Sequence, residues 1–151
     1  MGIISIEELA HTKGRIIGVD FGDRRTGLAL SDEGRLLSGG IGTVSPGGIA
    51  RTASEVARIA LLKGAAAAAV GLPRNMDGSE GHRAERCREF ALMLSEEAGI
   101  PVVLTDERLS TVAASRYLNE TDTRGKKRKG VIDTLSAEII LQDTLDRLRH
   151  L

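Results

Sequence analysis

Three short strand-like runs open the regular part of this chain, and they constrain its fold more than any other feature. They are residues 15–21, 26–31 and 36–44, and the connections between them read GDRR (22–25) and DEGR (32–35). Glycine in each short connection is typical of a tight turn, and tight turns join antiparallel strands. The sequence therefore predicts an antiparallel three-stranded meander.

The pattern changes after residue 44. Apolar residues from Ile49 to Ala60 recur at helical spacing, and a second helical stripe runs from Ala84 to Ala98, with Ser79 as its expected N-cap. Between them, residues 65–72 are rich in alanine. Alanine favours helix by propensity, but the position of this run between two helices, closed by Pro73, favours a buried strand.

A fifth strand is expected at residues 102–104, which gives an α/β fold: a mixed five-stranded sheet flanked by helices, with the first three strands antiparallel. Ser110 or Thr111 is expected to cap a short helix ending at residue 118. We expect the polar, basic residues 119–130 to be mobile and a last helix to begin near residue 131. Residues 1–14 are predicted to be a flexible N-terminal extension, and residues 15–151 a single domain.

Composition narrows the function. Lys and Arg balance Asp and Glu at 21 each, so attraction to a phosphate backbone must be local. Aromatic residues are 2% of the chain, which disfavours binding of bases by aromatic stacking. The single cysteine, Cys87, fits a reducing compartment, and its place on an apolar helix stripe predicts core packing. With no apolar stretch of membrane-spanning length, we expect a cytoplasmic protein without membrane contact.

Three acidic residues occupy positions that need an explanation. Asp20 ends an apolar strand, Glu107 follows the last predicted strand, and Asp133 lies near the expected start of the last helix. A carboxylate near a buried strand is costly unless it is paired, and Mg²⁺ prefers such oxygen ligands. Because sites in α/β sheets form at the carboxyl ends of strands, these acids can converge on a divalent cation.

Each acid also has a structural interpretation. Asp20 can be a turn residue bonded to the backbone near Gly22. Asp133 can favour a helix dipole, and Glu107 can belong to a solvated charge cluster. Only the joint pattern favours a site.

Four motifs together resemble the YqgF family, the ribonuclease H-like proteins assigned as pre-16S ribosomal RNA nucleases and also as Holliday junction resolvases. They are DFGDRRTGLALSD (20–32), VGLPRNMDG (70–78), TDERLST (105–111) and KGVIDTLSA (129–137). The resemblance runs in order from about residue 14 to the C-terminus. It implies an RNase H-like fold in which Asp20, Glu107 and Asp133 are the catalytic, metal-binding acids. Mg²⁺ or Mn²⁺ would be the cofactor, with Asp20 expected to bridge two ions.

Seven basic residues near these acids, together with the amide side chain of Asn75, are candidates for binding substrate. The set is Arg24, Arg25, Asn75, Arg108, Lys126, Lys127, Arg128 and Lys129. The last four belong to a basic run that can grip a phosphodiester backbone, although a solvated linker is the plain alternative.

The resemblance implies a metal-dependent endonuclease that matures the 5′ end of pre-16S rRNA, with structured RNA and ribosomal precursor particles as partners. One alternative is a Holliday junction resolvase that cuts branched DNA, for which a homodimer rather than a monomer is expected. A non-catalytic RNA- or ribosome-binding factor is another. An actin-like or sugar-kinase ATPase is disfavoured, because those proteins place nucleotide between two such domains and a Walker-type loop is missing from this sequence.

Overall fold

A six-stranded mixed sheet forms the centre of the structure, a computed structural model that describes residues 2–107 and 125–151, with the backbone alone at 125–129. In space the strands follow the order β1-β6-β5-β2-β3-β4. Their bounds are β1 Ile3–Ile4, β2 Arg15–Asp20, β3 Thr26–Ser31, β4 Ser38–Val44, β5 Ala65–Leu72 and β6 Val102–Asp106.

Helices cover both faces of the sheet. Their bounds are α1 Ile6–Leu9, α2 Ile49–Leu62, α3 His82–Ala98 and α4 Gly125–Arg149. One apolar core joins α2 and α3 to the sheet, and a second joins α1 and α4 to the opposite face. None of these helices has the length and apolar character that a bilayer crossing requires, as far as the described residues go.

The expected meander is confirmed. β2 pairs antiparallel with β3, and β3 pairs antiparallel with β4. The alanine run is strand β5, which is parallel to β2 on one side and to β6 on the other. Its small side chains serve both cores, since Ala68 lies in one and Ala67 and Ala69 in the other. Burial on both faces of the sheet therefore overrides the helical propensity of alanine.

The expected count of five strands was one too low, because the N-terminal segment supplies a sixth. Residues 3 and 4 form β1, an edge strand parallel to β6. Leu9 is fully buried in the α4-side core, and the guanidinium of Arg35 donates hydrogen bonds to the carbonyl oxygens of Leu9 and Gly14. The segment expected to be a flexible extension is thus part of the fold in its described residues.

Two helix starts also differ from expectation. α3 begins at His82 behind Gly81, while the Ser79 hydroxyl instead bonds the Asp77 carboxylate in the preceding loop. α4 begins at Gly125, inside the segment expected to be mobile, so Asp133 lies two turns into the helix rather than at its start. This position removes the helix-dipole explanation for Asp133, since the dipole acts within the first turn. The short helix expected before residue 118 lies outside the described residues.

Candidate functional site

A cavity of about 550 Å³ opens where the carboxyl ends of β2 and β6 meet α4. All three predicted acids line it, together with a group of basic and loop residues. Its described lining is Asp20, Phe21, Gly22, Asp23, Arg24, Arg25, Pro73, Arg74, Arg83, Glu107, Ile132 and Asp133. Three separate elements of the fold thus bring the three carboxylates to one cavity.

Asp20 reaches the cavity through the alternation of β2. Ile17 and Val19 point into the core under α2 and α3, while Ile16 lies in the core under α4. Because side chains alternate along a strand, Asp20 shares the α4 face with Ile16. On this face of β2 the residues before Asp20 pack in the core, and the last one, Asp20, places its carboxylate in the cavity.

Glu107 reaches the same face over a glycine. It follows β6 and its backbone N–H donates to the Leu72 carbonyl at 3.2 Å, which keeps it beside β5. A Cβ at Gly71 would stand 2.7 Å from Oε2 of Glu107. Glycine at position 71 thus leaves the space in which the Glu107 carboxylate lies.

Asp133 is brought in by the close approach of α4 to β3. Gly27 pairs directly with Asp20 across the β2–β3 ladder. The backbone carbonyl of Asp133 passes so near Gly27 that a Cβ there would overlap it. The helix therefore crosses the sheet beside Asp20, and no larger residue at position 27 permits that crossing.

The electrostatics of Asp20 reflect this convergence. The pKa of Asp20 is raised from 3.8 to about 6, mainly by burial; the charge of Asp133 also raises it, whereas a hydrogen bond with Glu107 and the charge of Arg83 lower it. Two carboxyl groups that hydrogen-bond each other must share a proton. A divalent cation can take the place of that proton, which makes the site suited to hold one.

Asp133 is engaged by a cation of the chain itself. Nε of Arg25 lies 2.6 Å from Oδ2 of Asp133, and the side chains are 39% and 19% exposed. In the described ranges, no group of three or more His, Cys, Asp and Glu side chains is spaced to hold a metal ion. The donor set, three carboxylates on one cavity, still fits Mg²⁺ or Mn²⁺, provided that the Asp133 carboxylate leaves Arg25.

The other predicted residues divide into three groups. Arg24 and Arg25 line the cavity. Asn75 is outside its lining and donates from its side-chain amide to Oγ of Ser79 at 2.9 Å. Arg108 lies outside the described residues, and Lys126, Lys127, Arg128 and Lys129 fall in the first turns of α4, where only the backbone is described.

Two cavity arginines were missed from the sequence. Arg74 follows the carboxyl end of β5 after one residue, which is a signal for a site residue in a parallel sheet. Arg83 is in the first turn of α3, and its position at the cavity could not be read from local pattern. Its charge acts directly on Asp20.

Phe21, which lines the cavity, packs against the apolar core under α3. The rings of Phe21 and Phe90 stack with centroids 4.5 Å apart. Cys87 is 2% exposed, and burial raises the pKa of its thiol to about 12. The expected packing role of Cys87 is therefore confirmed.

Known proteins resemble this chain over most of its length. The model of a family described as "RuvX: Holliday junction resolvase" matches residues 14–147. A protein of Acidiphilium cryptum described as "Putative pre-16S rRNA nuclease" is 41% identical over 153 residues, covering 99% of this chain and 97% of that protein. A protein of Moorella thermoacetica with the same description is 43% identical and covers 89% of this chain and 96% of its own length.

Solved structures share the fold at low identity. RuvC of T. thermophilus in complex with a Holliday junction substrate aligns with a TM-score of 0.57 at 15% identity, covering 90% of this chain and 96% of that one. The fowlpox virus resolvase in complex with Holliday junction DNA aligns with a TM-score of 0.51 at 11% identity, covering 87% and 98%. At these identities the likeness concerns the fold alone.

Proposed function

We propose a reaction for this chain from the premise that it belongs to the RuvX family, whose model spans nearly all of it. The chain is a nuclease, a hydrolase that cleaves phosphodiester bonds, as its relatives and family indicate. Its proposed substrate is the precursor of 16S ribosomal RNA, which it would cut at an internal phosphodiester bond during maturation of the 5′ end. The reaction is proposed to need Mg²⁺ or Mn²⁺.

The observation that carries the proposal is the convergence of three carboxylates on one cavity. Asp20, Glu107 and Asp133 would hold the divalent cation. When bound, that cation supplies activation of water and neutralisation of charge on the leaving oxygen. The carboxylates come from β2, the end of β6 and α4, so the fold sets their relative positions before substrate arrives.

The cavity arginines are proposed to bind the phosphodiester backbone. Arg24, Arg74 and Arg83 line the cavity beside the acids. Guanidinium groups match phosphate oxygens in geometry and offset the repulsion between carboxylates and nucleic acid. Asn75 in the neighbouring loop, together with Arg108 and the basic run Lys126, Lys127, Arg128 and Lys129, would extend this contact along the strand.

RNA is the preferred substrate because the relatives described as pre-16S rRNA nucleases match this chain over nearly its whole length. A single RNA strand needs one cut, and each chain carries all three acids of one site. A monomer would therefore suffice. The proposal places the protein in the cytoplasm, where it would meet ribosomal precursor particles.

Branched DNA is the second candidate. It is favoured by the description of the matching family and by the likeness in fold to two resolvases bound to Holliday junctions. Symmetrical cutting of a four-way junction needs two active sites, which a homodimer would supply. This candidate uses the same three acids.

One experiment tests both candidates. Labelled precursor 16S rRNA and a four-way DNA junction are each incubated with the protein and Mg²⁺ or Mn²⁺, alongside Asp20→Asn. The matched control is Asp23→Asn, since Asp23 lines the same cavity but is 64% exposed and paired with Arg86. Metal-dependent RNA cutting that Asp20→Asn abolishes and Asp23→Asn retains is the expected result. Cutting of the junction but not of the RNA would show that the substrate is branched DNA. Binding of either nucleic acid without cutting would contradict the assignment as a nuclease.

A further inference from the structure

The ion pair between Arg25 and Asp133 lies at the cavity but has no role in the proposed cleavage reaction. The Arg25 guanidinium and the Asp133 carboxylate meet at 2.6 Å across 108 residues of sequence. Asp133 is one of the three acids proposed to hold a cation. A guanidinium on one of those acids competes directly with the cation for the same oxygens.

We propose that Arg25 is a positioning residue that holds Asp133 until a divalent cation binds, and that it then transfers to a phosphate oxygen of the substrate. This inference rests on the proposed function, because it assumes the cation and the phosphodiester. It adds a coupling between the two: each promotes binding of the other through the exchange of a single arginine.

Charge makes the exchange unavoidable if a cation reaches Asp133. A divalent ion on this carboxylate would stand within a few ångströms of a guanidinium that carries its own positive charge. Like charges at such distances in a half-buried site repel strongly. Arg25 must therefore leave Asp133, and the neighbouring phosphate is the anion to which it can go.

The turn that carries Arg25 allows its side chain to move while its backbone stays in place. Gly22 packs against the Arg25 carbonyl so closely that a Cβ would overlap it. Thr26, the next residue, is 1% exposed and opens β3. Only the side chain, 39% exposed, is left to swing from the acid into the open part of the cavity.

The planar guanidinium suits both partners of the exchange. Carboxylate and phosphate each accept paired hydrogen bonds from an arginine, whereas lysine binds either as a point charge. Arg25 can therefore leave one anion for the other without being left unpaired. By linkage, the factor by which cation strengthens nucleic-acid binding equals the factor by which nucleic acid strengthens cation binding.

The first test is Mn²⁺ binding to the full chain, measured by calorimetry without nucleic acid. Arg25→Gln removes the competitor, so its affinity for Mn²⁺ should rise by about tenfold. The matched control is Arg24→Gln, because Arg24 lines the same cavity and makes no ion pair within the described part of the chain. Its affinity should change by less than about threefold. An unchanged or weaker affinity in Arg25→Gln would show that Arg25 merely supports the shape of the site.

The second test measures binding of labelled precursor 16S rRNA by fluorescence anisotropy, with and without Ca²⁺, a hard cation that takes the same oxygen ligands. Wild type should bind RNA about tenfold more tightly with Ca²⁺, and Arg25→Gln should lose most of that gain. Arg25→Lys keeps the positive charge but not the paired hydrogen bonds of the guanidinium, so it should recover part of the Ca²⁺-dependent gain. A full Ca²⁺ effect in Arg25→Gln would overturn the exchange.

The proposed site and the exchange can fail separately. If wild type and Asp20→Asn both bind no Mn²⁺, the cation site itself is wrong and the exchange falls with it. If wild type binds Mn²⁺ and Asp20→Asn does not, but Arg25→Gln gains no affinity, the exchange alone is wrong. Circular dichroism establishes that each variant is folded, and Arg25→Met, which is also uncharged, replaces Arg25→Gln in the calorimetry if the latter is not.

Discussion

The backbone carbonyl of Asp133 lies against Gly27, the residue paired with Asp20 in the neighbouring strand. This relationship sets the distance between α4 and the sheet, and therefore the distance between two of the three site acids. A side chain at position 27 would have to push the helix away. The site thus depends on a residue that has no side chain to contribute.

Gly27→Ala should lower both stability and activity. The added Cβ overlaps backbone, which cannot move aside as a flexible side chain can, so we expect a loss of about 1–3 kcal/mol and at least about a tenfold loss of cleavage. Urea unfolding and cleavage of precursor RNA measure the two effects. Gly39→Ala in β4 is the control, since a Cβ there meets nothing within 4 Å. If the two variants have the same stability and cleavage rate, the Asp133 carbonyl does not lie against Gly27.

Asp20→Asn should stabilise the cation-free protein at neutral pH. The folded pKa of Asp20 is about 6 against 3.8 when unfolded, mainly because of burial. Between these values the folded state keeps a proton that the unfolded state releases, so stability falls as pH rises through that window. Above it the penalty is constant, and removing the charge should restore about 1–3 kcal/mol.

Urea unfolding in EDTA at pH 8 and below about pH 3 checks this sign. Asp20→Asn should exceed wild type at pH 8 and match it at the lower pH, where both states of the wild-type carboxyl are protonated. Asp23→Asn, on the exposed rim, should show neither effect. If wild type is more stable than Asp20→Asn at pH 8, burial of the ionised Asp20 carboxylate does not destabilise the cation-free protein.

Arg83→Gln should weaken nucleic-acid binding. Arg83 lines the cavity and its charge acts on Asp20, so it faces the place where a scissile phosphate would approach. We expect about a tenfold rise in KM with a smaller change in kcat, and a salt slope reduced by about one. Arg88→Gln is the control, because Arg88 on the same helix is already paired with Glu80 at 2.8 Å. If the two variants have the same KM, Arg83 does not bind substrate.

Leu9→Ala should unfold the protein more easily, although it lies far from the acids in sequence. Leu9 is fully buried among residues of α4 and the sheet, so its truncation should cost about 2–4 kcal/mol. The control is Leu37→Ala, a leucine that is 72% exposed and should cost less than about 0.5 kcal/mol. Similar urea midpoints for both variants would show that the N-terminal segment contributes little to stability, as a loose extension would.

Much of the fold could be predicted because its signals are local. Apolar runs separated by short glycine-containing turns indicate antiparallel strands, and the stripe from Ala84 to Ala98 has the period of a helix. The strand-end positions of Asp20 and Glu107 also follow from these runs. Asp20 and Glu107 could therefore be proposed as neighbours from the sequence, before the distance between their side chains was known.

The N-terminal segment could not be predicted in the same way. β1 has two residues and α1 has four, too few to show a period. Leu9 packs against residues of α4, and its carbonyl oxygen accepts a hydrogen bond from Arg35; neither partner is near it in sequence. The start of α4 was missed for a related reason, since its first turn is basic and polar and carries no apolar stripe.

By itself, the sequence determined the order of the strands from β2 onward and of the helices between them, and it singled out the three acids proposed for the site, since periodicity and motif are properties of neighbouring residues. Only the tertiary structure decided which charges meet. Arg25 contacts Asp133 and Arg83 acts on Asp20 because parallel strands end at one edge of the sheet and α4 crosses over Gly27. Such contacts depend on distances between segments far apart in the chain, and those distances are set by packing in three dimensions.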